Sequence, residues 1–203
     1  KLVNLGFKPG IISRGYKGTL KQWPQHVLPN SDPLLVGDEP VVIAQRTELP
    51  FYISPNRPEA AMTLLENHDC NVIVADDGLQ HYALKRDLEI IVVDGAVRFG
   101  NKLCFPAGPL REPVSRLAAA DITLINEGEP DHELTFRMHS KSVKSLNDNQ
   151  ELTLLDFKGK TVHAVAGIGN PSRYFQHLKE AGISVIEHIF PNHHIYKNKD
   201  FSF

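Results

Sequence analysis

The chain has 203 residues, 41% of them hydrophobic and 23% charged, with a formal net charge of -2. That length can hold one large domain or two small ones around a real core, and the near-neutral charge excludes the broad basic field of a nucleic-acid binder. Two cysteines, Cys70 and Cys104, form neither a zinc pattern nor a disulfide framework, which points to a reducing compartment; no apolar run reaches the ~18–20 residues of a membrane span.

Residues 1–7 read as the last turns of an amphipathic helix closed by Gly6, and both ends of the chain read as cut from a longer protein. Residues 9–13 predict a first strand, leading into Arg14-Gly15-Tyr16-Lys17-Gly18. Residues 19–40 read mostly as loop, and 41–45 suit either a helix or a strand. Residues 58–67 predict a helix with proline in its first turn. Residues 72–75 and 88–94 predict strands, each running out into aspartate and glycine. After a loop over 95–113 come a short helix at 114–120 and a strand at 122–125. Leu134, Phe136 and Met138 then alternate with Thr135, Arg137 and His139, which predicts a half-exposed antiparallel strand. Residues 152–157 predict another short strand. A buried strand at 161–168, a turn at Gly169-Asn170-Pro171-Ser172, a helix ended by Gly182 and a strand at 183–190 complete a second α/β unit.

The expected fold class is α/β. Residues 1–127 would form a parallel-sheet domain, 128–160 an extended two-stranded linker, and 161–203 the start of a second, smaller α/β domain.

Two glycine motifs mislead. Gly159-Lys160-Thr161 suggests a P-loop, but position 154 is leucine where the motif needs glycine, and the triplet precedes a strand. Gly167-Ile168-Gly169 stands between a strand and a helix, as a dinucleotide fingerprint should, but Ser172 replaces its third glycine. A tight turn capped by Asn170, with Pro171 opening the helix, is the favoured reading.

The strongest chemical signal is Val72-Ile73-Val74-Ala75-Asp76-Asp77-Gly78-Leu79-Gln80-His81. An apolar strand ends in two adjacent acids, at the sheet edge where open α/β folds bind ligands. Adjacent carboxylates repel, and a cation beside them relieves the repulsion. Magnesium prefers carboxylate oxygens and shares its other positions with water and phosphate, so the pair points to a magnesium–nucleotide site. Ordinary turn chemistry is the alternative.

Five segments in order go beyond generic α/β texture. They are Ile12-Ser13-Arg14-Gly15-Tyr16, Val36-Gly37-Asp38-Glu39-Pro40, the acidic decapeptide's Asp76 to His81, Pro106-Ala107-Gly108-Pro109-Leu110-Arg111-Glu112-Pro113 with Ser115-Arg116-Leu117, and Ala166-Gly167-Ile168-Gly169-Asn170-Pro171 followed by Phe190-Pro191-Asn192-His193-His194. Together they resemble the tetraacyldisaccharide 4'-kinase family over essentially the whole chain.

The resemblance implies a P-loop-kinase-like fold and transfer of the γ-phosphate of ATP, with Mg2+, to the 4'-hydroxyl of tetraacyldisaccharide 1-phosphate, giving lipid IVA. It implies a monomer working peripherally at the cytoplasmic face of the bacterial inner membrane. By position, Asp38 matches the family's general base and His193 its histidine partner, with His194 the competing choice. Asp76 and Asp77 match the acidic pair that binds magnesium, and Gln80 and His81 continue that motif. Arg14 is implied to contact phosphate, while Arg111 and Arg116 are candidates for the anionic lipid head. The family's phosphate-binding loop would precede Gly6, so residues 1–203 alone are expected to be inactive; Asn192 stands where the family usually has aspartate. Two other readings remain open here: a nucleotide-binding oxidoreductase, and a noncatalytic module that holds a lipid precursor or nucleotide.

Overall fold

A computed structural model of the chain describes residues 1–16, 18–127, 134–138 and 142–203; Lys17, His139 and part of the expected linker lie outside them. The fold is mixed α/β with parallel sheets, in two compact units, Lys1–Phe136 and Arg137–Phe203.

The first unit is built around β1 (Pro9–Ser13), whose five residues are all buried. It pairs in parallel with β3 (Phe51–Ile53) on one side and β4 (Val72–Ala75) on the other. A short β2 (Gln25–His26) runs antiparallel on the outside of β3, giving the order β2-β3-β1-β4. A central parallel strand covered on both faces needs no polar alternation, which is why it reads as an unbroken apolar run. Successive side chains still point to opposite faces. Ile11 packs with Val27, Val36, Val41, Ala44, Phe51 and Ile53 on one side; Ile12 packs with Tyr52, Ala60, Ala61 and Leu64 on the other.

Three helices supply those layers. α1 (Pro33–Val36) is a single turn capped by Asp32, whose carboxylate accepts from Leu34 N at 2.8 Å. α2 (Asp38–Thr47) settles the open reading of residues 41–45 as helix. Acids in its first turn and Arg46 in its last suit the helix dipole, and Pro40, Val41 and Ala44 form its buried face. The opposite layer is α3 (Arg57–Asn67), whose Ala60, Ala61 and Leu64 sit over β1 and β3.

A second parallel sheet in this unit holds β5 (Ile90–Asp94), β6 (Ile122–Asn126) and β7 (Thr135–Phe136). The short helix expected before β6 is a 3-10 helix, Val114–Ala119. The antiparallel strand expected at 134–139 is corrected: β7 is two residues long and parallel to β6. Alternation reports which face is buried and carries no information on strand direction. The helix end expected at residues 1–7 is one 3-10 turn, Val3–Leu5, closed by Gly6 at φ 84°.

In the second unit, β8 (Val143–Lys144) and β9 (Glu151–Leu152) pair antiparallel. The strand expected at 152–157 is instead β9's last residue followed by a 3-10 helix, Leu154–Phe157. Thr153 caused the switch: its N–H and hydroxyl both donate to Asp156 Oδ2, at 2.7 and 2.8 Å, closing a capping box. β10 (Thr161–Ala166) and β11 (Ser184–Ile189) pair in parallel through α4 (Pro171–Glu180), a β-α-β unit whose core joins Ala164, Ala166, Phe175, Leu178 and Ile183.

Gly10 decides how closely α3 approaches β1. A Cβ there would stand 2.6 Å from Leu64 Cδ2 and 2.9 Å from Cys70 Sγ. Gly10→Ala is expected to cost about 1–3 kcal/mol by overpacking. Combined with Leu64→Ala it should cost less than the sum of the two, because the cavity admits the new methyl. Denaturant titration of the four variants checks this; strict additivity would contradict the contact.

Candidate functional site at the carboxyl edge of β1 and β4

Because β1 and β4 run parallel in register, the residues after them leave the sheet at the same edge. Ser13 closes β1 and Asp76 follows β4. Asp76 N still donates to Ile12 O at 2.9 Å, and Ser13 Oγ donates to Asp76 Oδ2 at 3.0 Å. The first carboxylate is therefore oriented by both the ladder and a hydroxyl. The chain turns at Asp77, which adopts a positive φ of 45°. Arg111 Nη1 reaches both oxygens of Asp77, at 3.0 and 3.1 Å, and Gln80 Oε1 at 3.3 Å. This pair is exposed, so it steers geometry more than it stabilises the fold.

Behind the acids sits Arg57, the first residue of α3 and only 3% exposed. Its Nη1 donates to Ser54 O at 2.9 Å, and its Nε has no partner. Burial is the main force lowering its pKa, followed by the charge of Arg14, with Asp77 and Asp76 opposing. Sequence reasoning missed this residue. The available signal was a charged side chain between Pro55 and Pro58, directly after an apolar strand.

Gln80 Nε2 donates to Glu112 Oε1 at 2.8 Å, and Tyr82 donates its hydroxyl to Glu112 Oε2 at 2.5 Å. Tyr82 is the first cause holding the Glu112 carboxyl below the usual range, with Gln80 and Arg116 adding to it. Arg116 lies 2.5 Å from Glu89 Oε2 and 3.2 Å from Glu112 Oε2, so its guanidinium is engaged within the unit. His81 Nε2 is buried without a partner. Burial first, then the cations Arg57, Arg86 and Arg14, hold its pKa below the ordinary imidazole value.

Asp38 opens α2 just after Gly37, which has φ 99° and where a Cβ would stand 2.7 Å from Tyr16 O. Only glycine fits that approach. It pins the start of α2 to the loop that leaves β1 at Arg14. Thr19 and Leu20 add to the seam, donating to Leu34 O and Leu35 O at 3.2 and 3.4 Å. Asp38 Oδ1 accepts from Glu39 N at 3.0 Å, as a first-turn acid does.

His193 and His194 belong to the second unit. His193 adopts φ 59° and donates its N–H to Gly167 O at 3.0 Å. His194 Nε2 is 2.9 Å from Asp200 Oδ2, and its ring stacks on Phe190 at 4.7 Å. The turn after β10 is the capped helix start favoured from sequence: Asn170 Oδ1 accepts from Arg173 N at 3.3 Å, with Pro171 in the first turn.

Among the described residues no group of three or more His, Cys, Asp or Glu could by itself hold a metal ion. An acidic pair at a sheet edge still fits magnesium, which commonly takes one or two carboxylates plus water and phosphate. Also among the described residues, no helix is long and apolar enough to cross a membrane.

The sequence profile of the family described as "Tetraacyldisaccharide-1-P 4'-kinase" matches residues 1–203. A relative from Nitrosococcus oceani named tetraacyldisaccharide 4'-kinase is 46% identical over 198 residues, 98% of this chain and 59% of its own length. One from Methylobacillus flagellatus with the same name is 47% identical over 201 residues, 98% of this chain and 60% of its own length. The chain thus spans about three fifths of such relatives. A crystal structure of the "apo" form of LpxK from Aquifex aeolicus in complex with ATP is similar at a TM-score of 0.75 and 28% identity, covering 97% of this chain and 65% of that one.

The depressed His81 pKa gives a test. The folded state favours the neutral ring, whereas the unfolded chain binds a proton near the ordinary value. The stabilisation is therefore present above pH ~6.5 and is lost as pH falls below it. His81→Gln is expected to lose less stability between pH 7 and 5 than the parent protein in parallel denaturation series. Equal losses would show that His81 ionises freely.

Proposed function

The chain belongs to the tetraacyldisaccharide-1-phosphate 4'-kinase family, and we propose that the complete protein transfers the γ-phosphoryl group of ATP to the 4'-hydroxyl of a tetraacyldisaccharide 1-phosphate in lipid A biosynthesis. The observation that carries this reading is the convergence of Ser13, Arg14, Asp76 and Asp77 at one edge of two parallel strands, with Arg57 and Arg111 beside the acids. In phosphoryl transfer the protein's part is positioning and charge stabilisation, and this edge supplies both signs of charge.

Asp76, with Asp77, would hold magnesium, which when bound supplies positive charge to the phosphate oxygens of ATP. Asp76 suits the role because its carboxylate is already aimed by Ser13. Arg14, exposed at the end of β1, would meet phosphate, and Arg111 an anionic group at the rim. Gln80 and His81 line the same loop as substrate-binding groups.

Asp38 accepts the proton of the attacking 4'-hydroxyl; its support is the glycine elbow that fixes the start of α2 against the Tyr16 carbonyl. His193 keeps the catalytic role that the family resemblance implies. An acylated substrate places the reaction at a lipid surface, and we assign it to the cytoplasmic face of the inner membrane.

Asp38→Ala in the complete protein is expected to lower kcat by about 10²–10⁴-fold, the range for a lost general base. Apparent ATP affinity should stay unchanged, since the base touches the acceptor and not the nucleotide. Steady-state kinetics with nucleotide titration reads both; an unaltered kcat would remove Asp38 from the base role.

A further inference from the structure

The loop from Asp76 to His81 is tied down by a chain of charges that runs away from the acidic pair. Arg86 Nη1 donates to the carbonyl oxygens of Gly78 and Leu79, at 3.2 and 2.9 Å, and stands 3.1 Å from Glu89 Oε1. Glu89 Oε2 is 2.5 Å from Arg116 Nη2, and Arg116 Nε is 3.2 Å from Glu112 Oε2. Glu112 then accepts from Gln80 and Tyr82. Glu89 is 9% exposed and pairs with both arginines, its Oε1 meeting Arg86 by charge at 3.1 Å without a well-aligned hydrogen bond.

Glu89 is itself anchored just ahead of β5. Its N–H donates to Asp121 Oδ2 at 2.7 Å, and its carbonyl accepts from the N–H groups of Asp121 and Ile122, both at 3.1 Å. The backbone of Glu89 is thus pinned to the start of β6, while Arg86 reaches the loop carbonyls and Arg116 reaches Glu112, which accepts from Gln80. Arg86 grips the backbone immediately after Asp77, where the chain turns at a positive φ of 45°. Removing the charge of Glu89 takes from two partly buried cations the anion they share.

Resting on the kinase reading above, we propose that Glu89 is a positioning residue for phosphoryl transfer. It fixes Arg86 and Arg116, which hold the Gly78 and Leu79 carbonyls and the Glu112 carboxylate, and so hold Asp76 and Asp77 in the geometry that receives magnesium and nucleotide. It acts through the two arginines and not by contact with substrate. Arg116 is accordingly a part of this clamp rather than a ligand of the lipid head.

The test uses the complete protein and two independent readouts. Glu89→Gln keeps the volume and removes the charge, Glu89→Asp keeps the charge, and Arg86→Lys keeps the cation but is too short to carry a donor to where Nη1 meets both carbonyls. Amide hydrogen exchange without ligand should quicken in residues 76–84 for Glu89→Gln and Arg86→Lys while the α4 region stays as in the parent. In kinetics both should lose about 10–100-fold in kcat, the usual cost of removing an outer partner of a metal site, with the KM for ATP changed less than about threefold. Glu89→Asp should recover most of both effects. Unchanged exchange in 76–84, or quickened exchange with a parental kcat, would overturn the proposal. Absence of any transfer by the parent protein removes the kinase reading and the catalytic half of this proposal, and the exchange pattern still decides whether Glu89 holds the loop.

Discussion

Asp76 and Asp77 put two negative charges on consecutive residues at the open end of a parallel sheet, and the surrounding residues answer that repulsion. Ser13 hydrogen-bonds the first carboxylate and Arg111 pairs with the second. Arg57, sealed behind them, is drawn toward ionisation by both acids even as burial resists it. The same cations press His81 toward its neutral form. Charge of both signs is concentrated where β1 and β4 release the chain, and none of the groups involved could be changed alone without disturbing its neighbours.

Backbone constraints deliver those charges. Parallel register between β1 and β4 sets Ile12 opposite Ala75, so the residues that follow each strand emerge together. Gly10 lets α3 close on the sheet, and α3 begins with Arg57. Gly37 lets α2 start against the loop from β1, and α2 begins with Asp38. In both cases the absence of a side chain at a crowded point determines where a charged side chain starts its helix.

The strands that carry the site were legible because their patterns are unambiguous: β1 and β4 lie at the residues expected, being short apolar runs that break off at a charged residue. The acidic motif was legible for the same reason. Other features were hidden. β3 is three residues long and α1 a single turn, too short for any periodicity. The stretch 152–157 looked apolar enough for a strand, yet a local Thr153–Asp156 cap outweighed that pattern. Arg57 went unnoticed because nothing in a linear pattern reports that Ser54 offers its carbonyl inside the fold. Arg116 looked free to meet an anion because its partner Glu89 is 27 residues away in sequence and adjacent only through the second sheet.

The most direct measurement gives the complete protein magnesium, γ-labelled ATP and tetraacyldisaccharide 1-phosphate, and follows label into the lipid, with a magnesium-free sample alongside. The account predicts magnesium-dependent transfer to the 4'-hydroxyl. Binding of nucleotide or lipid with no transfer of label would contradict it and leave a noncatalytic binding module built on the kinase fold.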